Sequence, residues 1–288
     1  MNKGVFQDLK YKVFQSGDPS YLYIGINTVI FIVLALINLP LFLSGNGGLA
    51  YEAFIREYAG FPALISKLPE RFYTILTYQF FHQGFFHLLF NMLWLYWLGR
   101  IFLDFLKPRQ FHFIYLTGGF AGALVYLLAY NIFPVFAVAT ASGATIIGSS
   151  ASVMAIVVAT ATLVPDYAIR LLFFGEVKLK YLAIAYVVLD LIGLSSGNAG
   201  GNFAHLGGAL LGFTYIKLLK NGTDWSSLFK RKPKLKVVKN NAARGNVKKN
   251  VPVVDQKEID AILDKISKSG YDKLTKEEKE TLFKASKH

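Results

Sequence analysis

A hydroxyl and an imidazole stand in this chain where an apolar environment gives them little reason to be. Ser150 lies in Gly148-Ser149-Ser150-Ala151-Ser152, inside a run from Gln110 to Pro165 that contains no Lys, Arg, Asp or Glu. His205 lies in Ala204-His205-Leu206-Gly207-Gly208, at the opening of another apolar segment. A serine whose proton a histidine can take is the minimum for nucleophilic acyl transfer. A second polar pair, His87 and Asn91, is spaced four apart and so shares one helix face a single turn apart. Both can donate hydrogen bonds, which is what a developing oxyanion needs.

Each of these features also has a structural reading. Small residues such as Gly148, Ser149 and Ser152 let membrane helices approach closely, and a His–Asn pair can clamp two helices. His205 is harder to dismiss, because ionisable residues within spans are rare and face cavities. Gly208 and Gly212, one turn apart, suit a close helix contact, and Gly208 lies near the His205 face. Asp190 is a carboxylate deep in a late apolar segment and could complete a triad; a capping or structural pairing role is the preferred reading.

These residues need helices that cross a bilayer. A span takes roughly 20 apolar residues, and six segments qualify: Tyr21–Leu43, Phe85–Leu106, Phe111–Tyr130, Ile146–Val164, Leu179–Leu194 and Phe203–Lys220. The fold class is therefore all-α, a polytopic membrane bundle of six transmembrane helices. Basic residues fall on alternate connections: Lys3, Lys10 and Lys12 before the first span, Arg100, Lys107 and Arg109 after the second, and Arg170, Lys178 and Lys180 after the fourth. That parity places both termini in the cytoplasm, in a multi-pass protein of the cell (inner) membrane. The first run is too long for a signal-peptide core and follows about twenty mostly polar residues, so it is expected to stay as a span. The loop from Ser44 to Thr77 is rich in large apolar groups and reads as short amphipathic helices in the outer interface, or as a small cap packing on itself.

Composition sets the remaining bounds. The 288 residues are 53% hydrophobic and 17% charged, against about 25% charged in soluble domains. Of the net charge of +13, a net +10 lies from Lys217 onward, where 19 Lys and Arg face 9 Asp and Glu. No nucleic-acid motif accompanies that charge, so the basic tail is read as binding anionic lipid headgroups and not nucleic acid. The absence of cysteine excludes disulfides, thiolate metal sites and a cysteine nucleophile. Four parts follow: 1–20, a cytoplasmic N-terminal segment; 21–220, the membrane domain; 221–254, a basic flexible linker; and 255–288, a small cytoplasmic helical pair. In the last, Ile259, Ile262, Leu263 and Ile266 fall at helical spacing, Gly270 suits a helix end, and Thr275 with Glu278 has the form of a capping box.

Taken together, His87-x-x-x-Asn91, Gly148-x-Ser150 and Ala204-His205-x-x-Gly208, in this order on a six-span chain, closely resemble the rhomboid family of intramembrane serine proteases. The resemblance covers Tyr21 to Lys220. It implies Ser150 as nucleophile, His205 as general base, and an oxyanion hole formed by His87, Asn91 and the Ser150 backbone N–H, with Gly148, Gly208 and Gly212 as structural support. It implies no cofactor and no metal, and it requires no third carboxylate. His82 resembles a structural histidine that the family carries just before its second helix. The expected substrates are transmembrane proteins, reached through a lid formed by the Ser195–Gly201 loop and a fifth helix that moves aside. The chain departs from the pattern at Ala151, where many members have glycine, at Met154, where some have an aromatic residue packing on the histidine, and at Glu70-Arg71, where the family has Trp-Arg. Two other classes fit less of the sequence: a catalytically silent rhomboid-like protein that binds membrane clients, and a proton-coupled transporter using Asp190 and His205.

Overall fold

The computed structural model describes residues 4–45, 51, 53–171, 175–229 and 256–286. They form two compact units, Met1–Arg231 and Lys232–His288. The first begins with an amphipathic helix α1 (Val5–Phe14) and continues into six longer helices: α2 (Pro19–Leu43), α3 (Phe85–Phe105), α4 (Pro108–Ile132), α5 (Ser150–Leu163), α6 (Leu179–Gly193) and α7 (Ala199–Lys220). This is an all-α polytopic membrane bundle. Helices α2, α3 and α4 are each long and apolar enough to cross a membrane. Helix α2 starts sharply because Asp18 accepts a hydrogen bond from the Ser20 N–H and Pro19 occupies the first turn, where its missing N–H costs nothing. Leu36, Ile37 and Leu43 on α2 are exposed, as a lipid-facing surface requires.

Helix α5 is the axis of the bundle. Every residue from Ala151 to Ala161 is buried, which is how a helix that is hydrophobic all round must sit. Its neighbours reach it through glycine. A Cβ at Gly118 or Gly122 of α4 would overlap the Ala155 or Ala151 side chain, and one at Gly208 or Gly212 of α7 would overlap the Ala151 or Ala155 carbonyl. Gly207, on the adjacent face of α7, meets the Ala121 carbonyl of α4 in the same way. Bare backbones thus pack three helices at distances that any side chain would widen. Helix α6 is different: it buries only Leu179, Ala183 and Asp190, and exposes Ile184, Val188, Leu189 and Ile192.

Several sequence expectations change. The fourth span does not begin as helix at Ile146. Thr145–Ile146 form strand β2, paired antiparallel with β1 (Phe61–Pro62), and Gly148 has φ +118°, so the helix starts at Ser150. The sixth helix begins four residues earlier than expected, at Ala199. Gly200 and Gly201 are therefore helical rather than part of a loop, and a Cβ at Gly200 would lie 2.9 Å from the Tyr126 ring. In the first loop the chain forms short helical turns at Ile55–Ala59, Ile65–Lys67 and Thr74–Thr77. Ile55, Ala59, Phe61 and Ala63 are buried, while Tyr58, Ile65, Phe72 and Leu76 are exposed. Arg71, between the second and third of these turns, is buried, donates to the Arg56 carbonyl at 2.6 Å and pairs with Glu57, both in the first. Between α5 and α6, β3 (Ala168–Leu171) and β4 (Gly175–Lys178) form a hairpin with Arg170 opposite Glu176.

In the second unit, α8 (Gln256–Ser269) and α9 (Lys276–Ala285) are joined through Gly270, at φ +82°. Thr275 accepts from the Glu278 N–H, Glu278 accepts from the Thr275 N–H, and Lys265 reaches back to Glu278 at 2.7 Å. The linker expected at 221–254 lies outside the described residues beyond Phe229.

Candidate active site

The segment entering α5 is held from one side by residues 78–82. The Gly148 N–H donates to the Tyr78 carbonyl at 3.1 Å. Ser149, fully buried, brings its hydroxyl to 3.0 Å from His82 Nε2, and its N–H donates to the same nitrogen at 3.3 Å. Ser152 donates to the Gln79 side chain at 2.8 Å, and the Tyr78 hydroxyl donates to the Gly119 carbonyl of α4 at 2.7 Å. These bonds account for the polar neighbours of Ser150 as structural. Ser150 itself is half-buried at the helix N-terminus, where the first backbone N–H groups have no partner within the helix.

Ser150 faces a cavity of about 290 Å³. His87, Asn91 and Trp94 of α3, Ile147 and Ser150 before and in α5, Tyr186 of α6, and Gly201 and His205 of α7 line it. The His87 ring lies against Gly148, where a Cβ would come within 2.7 Å of Cε1 and 2.9 Å of Nε2. Asn91 is buried and donates one amide N–H to the His87 carbonyl at 2.8 Å. An Asn side chain has two such donors, which leaves a second for the cavity. Gly208, three residues beyond His205, meets the carbonyl of the residue after Ser150, so the α5–α7 contact brings both side chains to one wall. Among the described residues no direct hydrogen bond joins Ser150 to His205. Such bonds are often long without substrate and tighten in the complex.

Two α6 residues, Asp190 and Tyr186, complete the surroundings of His205. Asp190, 5% exposed, brings Oδ1 to 2.8 Å from His205 Nδ1. Of the two roles the sequence leaves to Asp190, a capping or structural pairing and a third member beside the histidine, the geometry places it against His205. Tyr186, one turn earlier on the same face, has its ring 6.4 Å from the imidazole and 5.9 Å from Trp94 in an edge-on arrangement. The aromatic neighbour of the histidine thus comes from the fifth spanning helix, while Met154 is buried in the core. A polar residue one turn after an aromatic in an otherwise apolar span was the available signal. Among the described residues, no three His, Cys, Asp or Glu side chains are grouped as a metal site would need.

A membrane-embedded helical bundle with a serine, two histidines and an asparagine around one small cavity defines the class of this protein. The chain belongs to the rhomboid family: the Rhomboid domain matches residues 69–221, which include every residue lining the cavity. It is 31% identical over 141 residues to Presenilin-associated rhomboid-like protein A, mitochondrial, of Danio rerio, covering 48% of this chain and 35% of that protein. It is 28% identical over 148 residues to RHOMBOID-like protein 12, mitochondrial, of Arabidopsis thaliana, covering 48% of this chain and 44% of that protein. The chain therefore matches less than half the length of either relative. Residues 245–288 match DUF6576, a family of unknown function.

Proposed function

We propose that the protein is an intramembrane serine endopeptidase that cleaves transmembrane segments of membrane proteins. The single observation that carries this reading is the shared cavity of Ser150, His205, His87 and Asn91 within a Rhomboid domain. Ser150 Oγ attacks the scissile carbonyl carbon as His205 takes its proton. The oxyanion that forms is met by the Ser150 N–H, the free amide N–H of Asn91 and the His87 ring. His205 then returns the proton to the leaving amine as the C–N bond breaks, and water releases the acyl group by the same route.

Depth in the bilayer supports this choice of substrate. Helix α5 has 14 residues and is about 21 Å long at the usual rise, roughly 9 Å short of a hydrocarbon core of about 30 Å. With its far end at the cytoplasmic interface, Ser150 sits below the outer surface. A substrate helix must there expose a scissile amide, and small or helix-weakening residues release the backbone bonds that shield it. The thinly buried α6, with the 194–198 turn beside it, is the element that moves to admit that helix. The basic connections put both termini in the cytoplasm of a protein of the cell (inner) membrane, and the basic tail binds anionic headgroups. Fractionation distinguishes that membrane from the mitochondrial one named for the two relatives.

The test is cleavage in liposomes of a single-span protein carrying small residues near the outer interface. Wild-type protein cleaves it and Ser150→Ala does not. A wild-type protein that cleaves none of a panel of such substrates, or a Ser150→Ala protein that cleaves equally, overturns the proposal.

A further inference from the structure

We infer that Asp190 is a positioning residue for His205, so that the fifth spanning helix both walls the cavity and holds the base; the inference rests on the protease reading above. The Asp190 carboxylate lies 2.8 Å from His205 Nδ1, and both side chains are largely withdrawn from solvent, at 7% and 13% exposure. A carboxylate only accepts, so Nδ1 carries the hydrogen and Nε2 is left with a free lone pair. That is the tautomer a general base needs. The Ser150 proton passes to Nε2 as Oγ bonds to the carbonyl carbon, and the imidazolium formed stays beside Asp190, which takes no proton. The proton then leaves Nε2 for the departing amine.

A purely structural carboxylate would be expected to satisfy both of its oxygens. Among the described residues, Asp190 Oδ2 is buried without a hydrogen-bond partner, and the carboxylate's one bond goes to the imidazole. Its helix is the least buried of those around the cavity, with Tyr186 one turn away packing edge-on to Trp94 of α3. Moving α6 outward to admit a substrate helix would therefore draw Asp190 from His205. The base is fully oriented only once α6 has settled back, which couples substrate capture to acid–base competence.

Asp190→Asn keeps the size of the side chain and removes the charge that fixes the tautomer. In the liposome assay kcat is expected to fall by about 10²-fold or more, in the direction of the ~10⁴-fold loss known when the orienting carboxylate of a Ser-His-Asp enzyme is neutralised. KM and the thermal midpoint stay close to wild type, and Asp190→Glu retains more activity than Asp190→Asn. A second readout does not depend on turnover. In ¹⁵N-histidine-labelled Ser150→Ala protein, the His205 Nδ1–H proton gives a downfield resonance that disappears on adding Asp190→Asn. An active wild type with an equally active Asp190→Asn variant overturns this inference alone. So does a loss of activity matched by a loss of folded protein. A wild type that cleaves nothing overturns the protease reading and this inference with it.

Discussion

Replacing Gly148 by alanine tests how closely the backbone before Ser150 is fitted to His87. Gly148 sits at φ +118°, a region that side-chain-bearing residues occupy at a cost of roughly 1–3 kcal/mol. Its new Cβ would stand 2.7 Å from His87 Cε1, whereas carbon atoms rest at about 3.5–4.0 Å. The ring must therefore retreat by roughly 1 Å, a displacement that costs about 10²-fold when it misplaces a reacting group. Complete loss of one oxyanion donor costs about 10²–10³-fold, so kcat of Gly148→Ala is expected to fall about 10²-fold. Gly143→Ala separates the two effects. Gly143 has φ +83°, and a Cβ there would meet nothing within 4 Å among the described residues, so that variant carries the backbone strain without touching the cavity. Both variants should lose a few degrees of thermal midpoint, about 2–4 °C per kcal/mol for a domain of this size, and only Gly148→Ala should lose turnover per folded molecule. Equal kcat in the two variants, measured on a reconstituted transmembrane substrate, would refute the fit between Gly148 and the His87 ring.

Other perturbations test separate parts of the molecule. Trp94→Ala removes the edge-on contact between α3 and α6, worth about 0.5–1.5 kcal/mol for an aromatic pair, and should raise cleavage of a transmembrane substrate about 2- to 13-fold if outward movement of α6 limits turnover; an unchanged or lower rate argues against that gate. Gly208→Ala and Gly212→Ala each drive a methyl into an α5 carbonyl, and should lower stability by about 1–3 kcal/mol as other overpacked cores do, read as a lower thermal midpoint in detergent. Thr275→Ala removes the cap of α9 and should cost about 1 kcal/mol, seen as roughly fivefold faster amide exchange in that helix. Hydrogen bonding from Lys265 holds the Glu278 carboxyl below its usual 4.5. The contribution of this group to α9 is thus complete above that pH and is lost as the pH falls through the lowered folded-state value, so protection of α9 amides, relative to their intrinsic exchange rate at each pH, should fall on acidification below pH 4.5.

What could be read from the sequence, and what could not, divides along physical lines. Ser150, His205, His87 and Asn91 stand out because polar groups in apolar helices are costly and few, and the structure brings all four to one cavity. The glycines of α7 were legible as a close contact because nothing else in a membrane helix draws backbones together so well. Asp190 was conspicuous too, yet its meeting with His205 depends on how α6 crosses α7, and one-dimensional spacing carries no crossing angle. The β1–β2 pairing of two residues each, between Phe61–Pro62 and Thr145–Ile146, leaves no periodicity to detect. The β3–β4 hairpin does leave one, in the alternation of Ala168-Ile169-Arg170-Leu171, but Arg170 and Lys178 read equally well as the charge of a connecting loop. Gly200 and Gly201 looked like lid because glycine commonly breaks helices; here Gly200 serves a close approach to Tyr126 within one.

The central claim is that Ser150 is a nucleophile activated by His205, and a serine-directed fluorophosphonate probe tests it most directly. Wild-type protein in detergent or liposomes should be labelled at Ser150, as read by peptide mass spectrometry, and the label should vanish in both Ser150→Ala and His205→Ala. Labelling at another residue, or labelling of Ser150 undiminished in folded His205→Ala protein, would contradict the mechanism.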